Sequence, residues 1–513
     1  MKYDSYKRYR LPEGLAEDVT LFFKKVEDFK RGDLSLSDFR AFRAARGVYE
    51  ERQDGEYMLR VRLPGGGLTA HQMRLLSQTA KQFGKSLLHL TTRQDVQLHR
   101  LPLENISPAM EQLLRAELVA KGGGGNTVRN ITACSRAGGC CNAVFDVLPF
   151  ATQLTEVLLT DPASFTLPRK YKIAFSGCSR DCAGAGIQDL GFIAKLRNGV
   201  RGFSVYVAGG LGARSRIAEL LEEFVPASSA ALIAEAIKRI FDKHGDRENR
   251  GKARLRFLVE KIGSAEFQRL YREELSALDK NVKVKNEEIL SQDLPETKKP
   301  SINIEIPLLF GDINSEQMAS LADIVDAYGQ GWVQVTPYQN MIIPGIHEDK
   351  RSELLQKIED LGLKTNAVPI LHKIVSCVGA STCRLGVCPT RNLIAAIAQK
   401  LESINIDVPD LAIHISGCPN SCGRHSIAPI GLFGVMRQID GQSTPHFVVQ
   451  LGGRLEEGKN RLAKGTHALP ESRIPSFLAD LLSNFTQSKQ YPDFYAFLEA
   501  NEEKIVCSFQ NDR

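Results

Sequence analysis

The 513-residue chain has no run of eighteen uncharged apolar residues, so nothing in it reads as a helix built to span a bilayer. It opens on MKYDSYKRYR, charged and polar where a secretory signal is basic and then apolar, and a cytoplasmic location is the expectation. No glycine-rich dinucleotide fingerprint follows a strand and opens a helix, since GGGLTA and KGGGGN lack that setting, and no length is left for flavin domains. Electrons, where needed, must come from another molecule. The net charge of +6 is spread along the chain with no basic arm, which argues against a nucleic-acid partner. What remains, with 43% apolar and 25% charged residues, is an ordinary globular composition long enough for two to four domains.

Cysteine is plentiful by contrast. Eleven residues, an odd number, clustered and without an export signal, argue for metal binding over a disulfide framework. Cys134 and Cys140 are spaced C-x5-C, and Cys178 and Cys182 are spaced C-x3-C; Cys377, Cys383, Cys418 and Cys422 repeat both spacings. SGCSRDCAGAGIQDLGFIA lies over SGCPNSCGRHSIAPIGLFG without a gap, LHLTTRQDV over VQVTPYQNM, and LTAHQM over INSEQM. A period this long marks a duplicated domain.

Each half reads as a small α/β module followed by a cysteine-bearing one. YMLRVRLPGG is a strand and a glycine turn, AHQMRLLSQTAKQFG a helix stopped by Gly84, SLLHLTTRQDVQLHRL a strand pair, and SPAMEQLLRAELVAKGG a second helix. RKYKIAFSGC and DLAIHISGC are strands that deliver cysteines to turns, where free backbone amides can donate to a sulfur. Long helices are expected near GLAEDVTLFFKKVEDFKRG and ALIAEAIKRIFDKHG. The expected division is a helical segment at 1–50, half-domains at 51–125 and 302–369, cysteine modules at 126–279 and 370–485, a polar linker at 280–301 and a tail at 486–513. Four thiolates on these spacings suit an iron–sulfur cube; structural zinc and buried structural thiols stay open as readings of the spacing alone.

The neighbours of the cysteines carry more. C-x5-C followed by GCPNSCG, with MLRVRLPGG, TTRQDVQLH, VRNITAC, LPRKYK, YQNMII and DRENRGKARLRFLVEKIG in order, resembles the siroheme-dependent sulfite and nitrite reductases over most of residues 45–455. The resemblance implies an α+β fold: two ferredoxin-like half-domains plus two larger α/β cofactor-binding modules, related by a pseudo-twofold. It implies that Cys377, Cys383, Cys418 and Cys422 ligate a 4Fe-4S cube, with Cys422 bridging it to a siroheme iron. Arg60, Arg129, Lys170 and Lys172 match the cations around the substrate anion, the lysines as general acids. Arg93, Gln97, His99, Arg169, Gln339 and Asn340 match positions that hold the siroheme carboxylates. Taken singly, Arg60 also reads as a surface group, and the two lysines as one face of a half-exposed strand.

The N-terminal quartet Cys134, Cys140, Cys178 and Cys182 is complete where most assimilatory members have lost it, so a second cluster is expected, alone or with a second, silent siroheme. Its opposing cations are missing, with Asp410 and Ala412 at the positions of Lys170 and Lys172. Cys141, Cys388 and Cys507 fit no ligand slot and read as buried thiols. RKYK resembles sulfite reductases, where plant-type nitrite reductases carry RKWN, so sulfite is the expected substrate and nitrite the alternative. The implied donor is an acidic ferredoxin or a separate flavoprotein subunit. A two-cluster electron carrier would need the cysteines but not the four cations, and a zinc scaffold would be colourless.

Overall fold

Two helix starts set the repeat in register. Thr69 Oγ1 accepts from the Gln72 N–H (3.2 Å) while Gln72 Oε1 accepts from the Thr69 N–H (3.0 Å), and Asn314 with Gln317 forms the same reciprocal box. They open helices Ala70–Phe83 and Ser315–Tyr328, each followed by a glycine, Gly84 and Gly329. The computed structural model describes residues 11, 14–136, 139–279, 301–365, 369–402, 404, 408 and 411–508; residues 280–300 of the expected linker and Asp410 lie outside them, as does the side chain of Cys507.

The first half runs β1 (Val48–Glu50), β2 (Glu56–Val61), β3 (Gly67–Thr69), β4 (Leu87–Leu90), β5 (Val96–Pro102), β6 (Thr132–Ala133), β7 (Ile173–Ser176), β8 (Leu190–Arg197), β9 (Val200–Val207) and β10 (Glu219–Pro226). The second half has β11 (Ser301–Ile306), β12 (Asp312–Asn314), β13 (Trp332–Val335), β14 (Met341–His347), β15 (Ile374–Ser376), β16 (Ile413–Ser416), β17 (Ile430–Ile439), β18 (Gln442–Leu451) and β19 (Lys464–Pro470).

The small sheets exchange strands. Their orders are β1-β2-β5-β4-β12 and β11-β14-β13-β3, so the short strand before each capped helix pairs with the other half. Ile313 lies opposite Leu88, and Leu68 opposite Val333. A left-handed turn precedes each exchange, at Gly65 (φ 59) and Gly66 in one half and at Phe310 (φ 66) and Gly311 in the other. Gly66 (φ 82) is required, because a Cβ there would stand 2.4 Å from Val335 O of the opposite half. Leu68, Met73, Leu76, Ile313, Met318 and Leu321 then share one buried core.

The cysteine modules are built on sheets β10-β9-β8-β7-β6 and β15-β16-β17-β18-β19. In both, the first three strands in sequence are parallel and the remainder antiparallel, and Ile173 faces Leu190 as Ile413 faces Ile430. The expected helices at Leu15–Arg31 and Ala230–His244 are present. Two expectations need correction. The second helix stops at Leu114, short of LVAKGG, where the 115–118 segment turns back on the helix end, with Glu117 left-handed. Cys141 is exposed, in a surface turn, whereas Cys388 is fully buried as expected.

Candidate active site

Each quartet is assembled from a strand end and a turn. β15 ends at Ser376, placing Cys377 next, and β16 runs through Ser416 and Gly417 to Cys418 and then Cys422. β6 and β7 present Cys134, Cys178 and Cys182 in the same way. Accessibility repeats too: Cys178 and Cys418 are buried, while Cys182 and Cys422 are exposed. One device fixes both first cysteines. Gln94 (φ 58) accepts the Ala133 N–H (2.9 Å) and donates to Val335 O (2.8 Å); Gln339 (φ 66) accepts the Ser376 N–H (2.7 Å) and donates to Leu90 O (2.8 Å). Each glutamine thus ties the residue before a quartet to a strand of the opposite half.

The Gly417 N–H donates to Cys377 Sγ at 3.2 Å, an amide-to-sulfur bond that would stabilise a thiolate. Burial pushes the thiols of Cys178, Cys377, Cys383 and Cys418 up, so within the protein they favour the neutral form until a metal displaces the proton. Among the described residues no three Cys, His, Asp or Glu converge as a single metal ion would need.

The first half reaches over the second half's quartet. Thr92 Oγ1 donates to Cys422 O (3.0 Å), the Arg52 N–H to Thr382 O (2.8 Å), Arg52 Nη2 to Gly386 O (2.6 Å), and Arg384 Nε to Glu51 O (2.7 Å). Arg60, Arg129, Lys170 and Lys172 gather beside it. Arg60 Nη1 and Arg129 Nη1 both donate to Gly123 O (2.9 and 3.2 Å), and Arg129 Nη2 to Gly125 O (2.9 Å). Burial, then the nearby Arg254 and Arg129 guanidinium groups, depress Lys170 to about 7, with Cys422 opposing them. Burial and the Lys170 charge hold Lys172 well below the ordinary lysine value.

The residues expected at the siroheme carboxylates divide. Arg93 donates to Asn130 O (2.6 Å), Ile173 O and Gln188, and burial lowers it to about 9; its Nε is buried without a partner, as are Arg129 Nε and Arg256 Nη1. Unsatisfied buried guanidinium nitrogens are what a polycarboxylate ligand would complete. Gln97 is buried beneath Arg60, its amide oxygen 2.7 Å from Arg60 Nη2 in the orientation that satisfies both, and His99 Nδ1 meets Glu51 Oε1 at 2.7 Å. Arg169 is half-exposed and donates to Asn126 (3.2 Å). Gln339 is engaged by the Ser376 N–H and Leu90 O. Asn340 donates to Glu305 and His372 O and accepts from Leu308, so both amides are engaged with protein.

Several neighbours escaped the sequence reading. Arg254 forms a buried two-point ion pair with Asp189 (2.9–3.1 Å), and Asp189 also accepts the Lys172 N–H (2.9 Å), so the pair sets the lysine segment. Burial raises Tyr49, but Arg129 and Arg60 outweigh it and hold the phenol below its usual value. Asp95, 4% exposed, is the carboxylate among Arg60, Arg62, Arg93 and Arg129. RENRGKARLRF was the one available signal for Arg254; nothing singled out Tyr49 or Asp95.

The other quartet faces different chemistry. Glu305 stands where the first half has Arg60, and it pairs with Arg136, between Cys134 and Cys140. Ala412 takes the place of Lys172 and Tyr338 that of Arg93.

Duplicated α/β modules carrying thiol quartets, one of them beside half-buried cations, point to a metal-cluster oxidoreductase. Residues 124–278 match the nitrite and sulphite reductase 4Fe-4S domain, and residues 49–116 and 297–361 match the nitrite/sulfite reductase ferredoxin-like half domain. Among curated relatives, a ferredoxin–nitrite reductase of Synechococcus elongatus is 31% identical, covering 83% of this chain and 86% of its own. An assimilatory ferredoxin-dependent nitrite reductase of Haloferax mediterranei is 29% identical (90% and 85%), and a sulfite reductase (ferredoxin) 1 of Mycolicibacterium paratuberculosis is 26% identical (92% and 90%). The solved structure of Mycobacterium tuberculosis NirA superposes with a TM-score of 0.81 at 24% identity, covering 98% of this chain and all of that one, and so shares the fold. The chain belongs to the nitrite and sulfite reductase family, and its duplicated α+β architecture is that family's. No described helix is long and apolar enough to cross a membrane.

Proposed function

We propose that the protein reduces sulfite to sulfide by six electrons, with a siroheme and a 4Fe-4S cube that Cys377, Cys383, Cys418 and Cys422 would hold, Cys422 serving both. The observation that carries this is the packing of the first half against the second half's quartet, where Thr92 donates to Cys422 O (3.0 Å), with Arg60 and Arg129 of the same half meeting at Gly123 O. The bound siroheme and cube would supply the electron transfer and the metal that takes the substrate. The chain's own residues do the rest. Arg60 and Arg129 are held by carbonyl oxygens, and their positive charge would lower the cost of placing an anion beside them. Lys170, poised near neutrality, can give up a proton as substrate oxygen leaves as water. Arg93, Arg129 and Arg256 keep unsatisfied nitrogens for the carboxylates of the macrocycle, with Arg169, Gln97 and His99 nearby.

Lys172 favours sulfite, whose greater negative charge rewards one more cation. Nitrite reduction to ammonia is the second reading, favoured by the Synechococcus and Haloferax relatives. Electrons come from an external ferredoxin, the donor printed in the relatives' names, or from a flavoprotein subunit. Cys134, Cys140, Cys178 and Cys182 hold a second cube, supported by the repeated strand-and-turn geometry. A non-catalytic electron carrier would not need the cations. Absorption spectra of the purified protein should show siroheme bands, and turnover should be faster with sulfite than with nitrite. A spectrum with cluster bands alone would end the assignment, and faster turnover of nitrite would transfer it to the second reading.

A further inference from the structure

The two C-x3-C turns meet across the pseudo-twofold, and a few side chains break the symmetry between them. Arg424 has φ 64 and its image in the other half, Gly184, has φ 76, so both are left-handed; the arginine holds a conformation that suits glycine better. Its side chain reaches the opposite turn: a Cβ on Gly184 would stand 2.6 Å from Arg424 Nη2. There the guanidinium faces Tyr338, Asp181 and Cys182, with Nε buried and without a hydrogen-bond partner. Asp181 is a fixed counter-charge, 1% exposed, accepting from Ser176 Oγ (2.6 Å) and from the N–H groups of Ala185 (2.6 Å) and Gly186 (2.8 Å).

None of this has a counterpart on the other side. The images of Arg424, Asp181 and Tyr338 are Gly184, Ser421 and Arg93. The approach to Cys422 is therefore bordered by a glycine and a cation, and the approach to Cys182 by a buried guanidinium and a phenol whose ring lies edge-on to His414 at 6.1 Å. The cations that would meet a polycarboxylate are also replaced, by Glu305 and Ala412. We infer that the N-terminal quartet carries a 4Fe-4S cube without a siroheme, because Glu305, Ala412 and Tyr338 stand where cations would meet the macrocycle's carboxylates and the Arg424 side chain enters the turn that carries Cys182. The inference rests on the second cluster proposed above and decides what accompanies it.

Iron and extracted siroheme are counted per chain on the purified holoenzyme. One siroheme with about nine irons in all is expected, of which Cys178→Ser should remove about four while leaving siroheme unchanged. Two sirohemes per chain, or about ten irons, would overturn the inference. About five irons, unchanged by Cys178→Ser, would overturn it together with the second cluster but leave the catalytic siroheme in place. Loss of the proposed function would look different: no siroheme, with eight cluster irons intact. The covering residues are tested by Arg424→Gly, which the left-handed backbone accepts. The electron-spin signal of the reduced cube that Cys178→Ser removes should bleach several-fold faster with ferricyanide in Arg424→Gly than in the wild type. An equal rate would show that Arg424 covers nothing.

Discussion

Lys170 and Lys172 have neighbouring positions and different duties. Replacing Lys172 with Asn takes one cation from a desolvated group and should cost roughly 2–4 kcal/mol in the transition state for sulfite, about thirty- to a thousandfold in kcat/KM, with much less effect on nitrite and none on the cofactor spectrum. Equal losses on both substrates would remove Lys172 from the specificity argument. Lys170 predicts a pH dependence. Its value in the folded protein, about 7, lies below the 10.5 of a free lysine, so the proton it donates is present below neutrality and lost as pH rises through that value. Activity should fall above about pH 7, and Lys170→Arg should push the decline to higher pH. Stability moves the opposite way: between about pH 7 and 10.5 the unfolded chain binds the extra proton, so this residue's burial penalty is relieved as pH rises. At Cys422, a Cys422→Ser variant should lose both cube and siroheme by absorbance and iron assay; full haem retention would exclude it as the bridge.

At the scale of elements, the two left-handed glutamines matter most. Gln339→Ala would leave Leu90 O and the Ser376 N–H buried and unpaired, at about 1–3 kcal/mol each, beside the first ligand of the catalytic quartet. A lowered denaturant midpoint together with reduced siroheme content is expected, whereas Gln94→Ala should lower the midpoint and spare siroheme. YQNMII aligned with a family segment and so pointed to Gln339, but motif position does not reveal that its amide bonds the Ser376 N–H and Leu90 O. Elements with strong periodicity, such as Ala70–Phe83 and Ala230–His244, were legible, and so was the duplication, since the C-x3-C stretch of each half repeats without a gap although the interval from the C-x5-C pair differs between the halves. Strand exchange was not: β3 and β12 have three residues each, too few to show alternation, and their partners lie in the other half of the chain. Arg254 and Asp189 escaped for a similar reason, since a charge pair 65 residues apart leaves no local pattern.

For the whole molecule, the exchanged strands make each half incomplete. Expressed alone, residues 1–279 would lack β12 beside β4 and expose the apolar faces of Leu68, Leu76 and Leu88, so the fragment should aggregate or bind residues 301–513 supplied in trans; a soluble, monomeric fragment by sedimentation would contradict this. The fastening of Arg52 and Glu51 to the 377–386 loop carries the point into the life of the protein. The N-terminal half leaves the ribosome first, yet the lid it provides for the catalytic quartet has nothing to close over until Cys422 has been made. On the proposed function, cofactor loading would wait until both halves have been made, and a chain interrupted before Cys422 would offer the macrocycle only part of its site.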